Sequence, residues 1–417
     1  MNESESNPSL NRNCSLRVLM ILENASLPED SRVLMESQAL HQAGHQVTVI
    51  CPTGDRKSFS ENIDGVRVYR YPCPKEFDGI LGYLFEYTYS MAMAMAYSLF
   101  ILSRHGFDVI HVHSPPDMNA LIPIAYRILG KRFVLDTHDL SPELYDAQKQ
   151  GEGNRTVVAA LKWFERLACR WAHRLIATNE SQREVQLSRG GGKREHAYVV
   201  RNGPSARFLA GAEPLPEFAD DPRIKLGYVG MISEQDGVDC FIQAMAVLKK
   251  RRSDFLGIVV GSGPAVEELH RLTSELDLDD QVRFTGLVPY NDVPRYIASF
   301  DVCLTPDPRN AYNDSCTTIK TMEYMALAKP TVAFATPENQ YTAGDAALYA
   351  DDDNIESLVN QIERLMDDTL LRDTMGQSGL RRVKEQLAWV HQKAQLLALY
   401  DSLCPEPKTV PKTTPSI

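Results

Sequence analysis

Short apolar runs bounded by polar turns recur along this chain, separated by stretches whose apolar positions repeat with helical spacing. The first run, LRVLMIL at 16–22, has the length and Val/Leu/Ile content of a strand buried on both faces. A helical stretch from Ser31 to Ala43 follows and stops at Gly44, and QVTVI at 46–50 is the next strand. The alternation continues through VRVYR (66–70), a long helix near 81–104, DVIHVH (108–113), a helix near 118–129 and RFVLD (132–136). A helix near 155–172, RLIA (174–177) and AYVVR (197–201) complete the first pass.

A second pass begins with IKLGYV at 224–229. It runs through a helix near 238–251, FLGIVV (255–260), a helix near 265–276, VRF (282–284), DVCL (301–304), a helix near 316–328 and TVAFA (331–335), then paired helices to about 387. Strands alternating with helices twice over predict an α/β protein of two Rossmann-like domains, each a parallel sheet covered by helices. The boundaries drawn from this pattern are a disordered N-terminus at 1–15, an N-terminal domain at 16–205 and a linker at 206–222 with three prolines. A C-terminal domain follows at 223–388, then a helix at 389–403 returning to the N-terminal domain, and a disordered Pro/Thr-rich tail at 404–417. Ligands of parallel sheets bind beyond the carboxyl ends of the strands, so the loops after residues 22, 113, 136, 230, 260, 286 and 305 are where chemistry is sought.

Composition narrows the picture further. The 417 residues suffice for two cores, with 43% hydrophobic and 24% charged residues, as in ordinary globular proteins. The net charge of −11, with no long Lys/Arg run, argues against a nucleic-acid partner. The eight scattered cysteines include no CxxC pair and read as reduced cysteines of a cytoplasmic protein. The polar N-terminus lacks a signal-peptide core, and no apolar run reaches the roughly 18 residues that span a bilayer. The nearest, MAMAMAYSLFIL at 91–102, reads as a helix buried on most sides; the alternative is a face leaning on a membrane.

The most informative segment is NDSCTTIKTMEYMALAKPTVAFA at 313–335. Ser315, Thr317 and Thr318 stand where they could cap the first turn of a helix, whose free N–H groups suit a diphosphate. Lys320 and Glu323 follow on that helix, and the Glu323 carboxylate can accept two hydrogen bonds from a ribose diol; the plainer reading is a capped helix with a solvated Glu. The strand-end loops IHVHSPPD (110–117) and LDTHDLSPELY (135–145) bring His and Asp side chains forward. His138 and Asp139 are the preferred catalytic pair of these loops. By strand alternation His111 and His113 share a face, which leaves a buried structural hydrogen-bond pair as the alternative to a functional His113. Asp30 or Ser31 is the expected cap of the first helix, and Arg32 beside it either reaches phosphate or is a surface residue.

The run EYMALAKPTVAF resembles the E-A/Y-M-A-x-G-x-P-V-V-A segment of the family-4 retaining glycosyltransferases, and N-D-x-S/C-T-x-x-K-x-x-E-Y-M-A resembles one branch of it. ERLACRWAHRLIATNESQREV (165–185), VVRNGP (199–204), VVGSGP (259–264) and FTGLVPYNDVPRYIASFDVCLTP (284–306) fit the same branch, so the resemblance spans roughly 16–400. It implies a GT-B fold with two sheets facing across a cleft that closes around the donor, with 206–222 and 389–403 as hinges. It also implies a nucleotide-sugar donor, a UDP-sugar before others, and a glycan or lipid-linked acceptor. Further implications are retention of anomeric configuration, a role in polysaccharide or glycoconjugate assembly, and peripheral contact with the inner membrane face. Glu323 takes the place of the glutamate that holds the donor ribose. Gly261 and Gly263 admit the nucleotide, and Gly286 to Val288 line its base through backbone groups.

Two departures stand out. The position eight residues before Glu323, usually the first glutamate of E-x7-E, is Ser315, and the loop GYVGMISEQDGVD (227–239) has Met231 and Asp236 where the family has the Arg and Lys that neutralise the diphosphate. The candidate replacement cations are Lys320, Arg201 and Arg32; Arg32, His113 and Asp117 are also carried as acceptor or phosphate residues. DLD at 277–279 lies in a polar connector between a helix and a strand, DDD at 351–353 reads as a solvated helix start, and no His/Cys cluster has zinc spacing, so no metal and no other cofactor is expected. Two other functions remain open at this point: a non-catalytic nucleotide-sugar-binding subunit of the same fold, and a sugar-nucleotide 2-epimerase.

Overall fold

Residues 14–54, 56, 58–73, 79–351 and 353–404 are described by a computed structural model. The first sheet is built from β1 (Arg17–Ile21), β2 (Gln46–Pro52), β3 (Ser60–Ile63), β4 (Val66–Tyr71), β5 (Val109–Ser114), β6 (Arg132–Thr137), β7 (Arg174–Ala177) and β8 (Ala197–Val199), in the order β3-β4-β2-β1-β5-β6-β7-β8. The second is built from β9 (Ile224–Val229), β10 (Phe255–Val260), β11 (Val282–Gly286), β12 (Val302–Thr305), β13 (Thr331–Phe334) and β14 (Ala347–Ala350), in the order β11-β10-β9-β12-β13-β14. β1 pairs in parallel with β2 and β5, and β9 with β10 and β12, as apolar runs separated by helical crossovers require. The protein is therefore α/β with two parallel-sheet domains of GT-B type.

β3 departs from the parallel pattern and runs antiparallel along β4. Its sequence, SENI, is too polar for a buried strand, but the Asp64-Gly65 turn has positive φ at both residues (48° and 90°), the geometry of a two-residue hairpin. The helix expected near 118–129 resolves into a turn at Asp117–Ala120, a short helix at Leu121–Tyr126 and a second turn at Arg127–Leu129, ended by Gly130 in the left-handed region. The helix expected over 316–328 is Ile319–Ala326 and is preceded by a separate turn at Asn313–Ser315.

The described residues form two compact units: one from Met1–Asp136, Leu167–Leu175 and Lys393–Ile417, the other from Thr137–Arg166 and Ile176–Gln392. The segment 206–222 lies in the second unit, where Phe208 and Phe218 are fully buried in the core with Phe300, Met322 and Met325. The expected disorder at 1–15 and 404–417 falls outside the described residues except at 14, 15 and 404. There the cysteine reading is corrected: Cys14 and Cys404 are joined as a disulfide within the first unit, because the end of the helix Trp389–Asp401 brings them together across 390 positions of sequence. The other six form no disulfide.

The 91–102 stretch lies in the helix Gly79–Arg104, which buries Ala94, Ser98 and Ile101 but exposes Leu99 and Phe100, so it is covered on one side and not on most. Among the described residues no helix is long and apolar enough to cross a membrane.

Candidate active site

In the second unit the loops that follow β9, β10 and β12 meet at the start of the helix Ile319–Ala326. Glycines make this approach. Gly230 donates its N–H to Val260 O, Gly261 to Gly286 O, and Ile232 to Ser262 O. A Cβ on Gly261 would lie 1.9 Å from Gly230 O, with φ at +146° as a second obstacle, and one on Gly263 would lie 2.2 Å from Ile232 O. Gly261→Ala is accordingly expected to cost about 3 kcal/mol, read as a lowered denaturation midpoint. An unchanged midpoint would mean that the loops separate without loss.

Lys320 occupies the centre of this cluster. Its Nζ lies 2.7 Å from Asp307 Oδ1, 3.4 Å from the Tyr228 hydroxyl and 3.6 Å from Asp236 Oδ1, and it sits over the Tyr228 ring. Asp236 closes its own loop by accepting the Ser233 N–H. Burial pushes the Asp236 carboxyl up to about 6, with Lys320 opposing the shift. Burial depresses the Lys320 ammonium, but the two carboxylates more than reverse this and hold its pKa well above the ordinary value. Met231 is 61% exposed at the lip of the same loop. The site thus has one ammonium facing two carboxylates where a diphosphate would need positive charge.

One turn further along the helix, Glu323 is 5% exposed, and its Oε1 accepts a hydrogen bond of 3.0 Å from the Tyr290 hydroxyl. Burial raises this carboxyl to about 7, while Tyr290 and Arg207 pull it down. Tyr290 belongs to the loop after β11, next to Gly286 (φ +71°), Leu287 and the half-buried Val288.

The loop after β6 supplies a second group. Asp139 Oδ1 accepts the Tyr312 hydroxyl at 3.1 Å and faces the Cys316 thiol at 3.9 Å, and burial raises its carboxyl. His138 is half-buried, and its backbone carbonyl accepts Gln182 Nε2 at 2.9 Å.

Ser315, Thr317 and Arg201 are committed elsewhere. The Ser315 hydroxyl donates to the carbonyls of Ala311 and Tyr312, within its own turn. Thr317 and Arg201 both reach Glu338 Oε2 at 3.3 Å, and Asn179 Nδ2 donates to Thr317 Oγ1. Thr318 occupies the N-cap position without a side-chain cap bond; its hydroxyl lies 3.1 Å from that of Thr321. The capping expected of these three hydroxyls is therefore not made: the carbonyls of Ala311 and Tyr312, the Glu338 carboxylate and the Thr321 hydroxyl engage them instead.

Arg32, His113 and Asp117 lie in the first unit. Asp30 caps the helix Ser31–Gln42, and Arg32 turns inward, its guanidinium holding both Asp136 oxygens (3.0 and 2.8 Å) and reaching Glu36 at 3.0 Å. It is buried, not a surface residue. His111 and His113 stack at 4.4 Å instead of bonding to each other: His111 Nδ1 pairs with the Tyr400 hydroxyl and His113 Nδ1 with Asp136. Glu36, His111, His113 and Asp136 place ligand-type atoms within 4.8 Å of one another, and the cation among them is Arg32. Asp117 accepts the Ser114 hydroxyl at 2.6 Å.

Residues 30–203 match the family "Glycosyl transferase 4-like domain", and residues 223–368 match "Glycosyl transferases group 1". The chain is a glycosyltransferase of the GT-B, family-4 type. It is 27% identical to the 2-deoxystreptamine glucosyltransferase of Streptomyces kanamyceticus over 357 residues, 81% of this chain and 89% of that protein. In fold it is similar to sucrose-phosphate synthase from Thermosynechococcus elongatus, with a TM-score of 0.77 at 20% identity over 93% of this chain and 99% of that one. It is also similar to Anabaena HepE in complex with UDP-glucose, with a TM-score of 0.67 at 18% identity over 93% and 100%.

Of the residues singled out in this glycosyltransferase from sequence, the structure gathers Glu323, Lys320, Gly261, Gly263, Gly286 and Val288 around the strand ends of one sheet. It places His138 and Asp139 with Tyr312 and Cys316. Sequence reasoning missed Tyr290, Asp307, Tyr312 and Glu338. Asp307 and Tyr312 lie in the loop after β12, where strand-end logic pointed without naming a side chain, and Tyr290 follows the G-L-V-P stretch that was read only for its backbone.

Proposed function

We propose that this glycosyltransferase takes its sugar from a nucleotide-sugar donor, a UDP-sugar first, and transfers it with retention of configuration to a glycan or lipid-linked acceptor in polysaccharide or glycoconjugate biosynthesis. The observation that carries the reading is Glu323. It is a buried carboxylate one turn beyond Lys320, beside loops whose glycines let backbone approach closely, and it is built to accept the two hydroxyls of a ribose. The UDP-glucose of the HepE structure and the glucosyltransferase name of the Streptomyces relative support the choice of donor. Lys320 takes the diphosphate side of the donor, and His138 with Asp139 the reacting sugar. The test is calorimetric titration with UDP-, GDP- and dTDP-sugars without added metal, followed by NMR assignment of the product anomer. An inverted product would remove the retention claim.

His138→Ala is expected to leave donor affinity within about twofold while lowering kcat roughly a hundredfold, the size of one lost polar group at the reacting centre. Full activity in that variant would take His138 out of the mechanism. One observation favours a second reading, a subunit that binds the donor without turnover: Met231 and Asp236 stand in the diphosphate loop, and Asp307 and Asp236 already face Lys320. Donor binding with no transfer to any acceptor would select it.

A further inference from the structure

We propose that Tyr290 is a positioning residue for donor recognition: its hydroxyl fixes Oε1 of Glu323 so that the carboxylate presents its other oxygen, ionised, to the donor ribose. The inference rests on the reading of Glu323 as the ribose acceptor and adds the device that keeps that acceptor competent. Three contacts hold Tyr290 in place. Its hydroxyl donates to Glu323 Oε1 at 3.0 Å, the Arg207 guanidinium lies over its ring at 4.7 Å from the centroid, and the Phe208 ring packs against it at 5.8 Å. Arg207 and Phe208 belong to the helix Ala206–Leu209, and Phe208 is fully buried, so the ring is clamped between a fixed apolar neighbour and a cation. A hydrogen-bond donor aimed at one oxygen removes rotational freedom that the carboxylate would otherwise lose on binding.

The clamp matters because Glu323 is buried. Its carboxyl is raised to about 7, and a protonated carboxyl has lost one of the acceptor positions a diol needs. The groups that act on Glu323 are Tyr290 from the loop after β11 and Arg207 from its short helix, both favouring the ionised form. Lys320, one turn earlier on the same helix, is held by Asp307 and Asp236. Among the described residues, the helices Pro337–Ala343 and Thr369–Arg382 and the segment Val383–Leu387 with Lys384 and Glu385, also packed on this helix, bring no further charged group to bear on it. Donor affinity should be full above about pH 7 and fall as pH drops through it, since the bound form is the ionised one. Without the Tyr290 hydroxyl the midpoint moves upward.

The experiment is calorimetric titration of the full chain with UDP, GDP and dTDP from about pH 5.5 to about pH 9, comparing wild type, Tyr290→Phe and Glu323→Gln. Glu323→Gln cannot titrate at this position, so it records whatever the nucleotide phosphate and Asp236 contribute, and the other curves are divided by it. The expected result is a midpoint about one pH unit higher in Tyr290→Phe. That is a deficit near tenfold at about pH 6 that closes by about pH 9. A deficit that is constant at every pH, or a curve identical to wild type, would overturn the positioning role while a weakened Glu323→Gln left the ribose reading standing. If Glu323→Gln binds as wild type, or no nucleotide binds any of the three proteins, the ribose reading falls and takes the inference with it.

Discussion

Glu323→Ala is expected to weaken donor binding roughly a hundredfold at about pH 8 while leaving the fold intact. Two hydrogen bonds to an ionised carboxylate contribute about 1.5 kcal/mol each at the lower end of their range, and about 3 kcal/mol is two decades in affinity. The fold should tolerate the change because among the described residues Glu323 has one side-chain hydrogen-bond partner, the Tyr290 hydroxyl, and because removing a buried carboxyl whose pKa is pushed up to about 7 relieves a desolvation cost. The sign with pH is fixed by the same shift. Wild-type affinity is lost as pH falls through about 7, whereas the alanine protein, with nothing to protonate there, does not follow that fall, so the gap between the two narrows. Titration calorimetry on both proteins at two pH values decides it. Equal affinities at the higher pH would detach Glu323 from the donor.

Arg32→Met is expected to be the most destabilising change in the first unit, at about 3–5 kcal/mol. Arg32 is the cation shared by Asp136 and Glu36, whose side chains are fully buried. Burial already drives the Glu36 carboxyl well above its ordinary range, with Arg32 holding it down. Without the guanidinium the carboxylates would take up protons on folding that the unfolded chain releases. The variant should therefore lose stability as pH rises from about 5 to about 8. Thermal denaturation across that range gives both the size and the slope. A loss below about 1 kcal/mol would show that the two carboxyls do not depend on Arg32 for their place in the core. In either case the residue acts through packing and charge inside its unit, and a phosphate role would require it to leave both carboxylates.

Legibility from sequence followed the range of the interaction. Strands such as IKLGYV and FLGIVV occur at the expected positions, because a fully apolar six-residue run between polar turns has few other ways to bury itself. The Asp64-Gly65 hairpin was also written locally, as an Asp-Gly pair, but its strand is polar and the apolar-run criterion passed over it. The cysteine reading failed for the opposite reason. Cys14 and Cys404 carry no spacing signal, and their pairing depends on where the last helix packs.

By itself the sequence determined the double alternation of strands and helices, the glycines of the strand-end loops, and the placement of Lys320 and Glu323 on one helix three residues apart. All of these are local properties of backbone geometry and periodicity. Only the tertiary structure decided what each functional side chain faces. Tyr290 meets Glu323 across 33 positions, Arg32 meets Asp136 across 104, and Arg201 meets Glu338 across 137. Such partners are set by sheet order and loop packing, which no local period encodes. They determine whether a buried charge is a free ligand group or already neutralised.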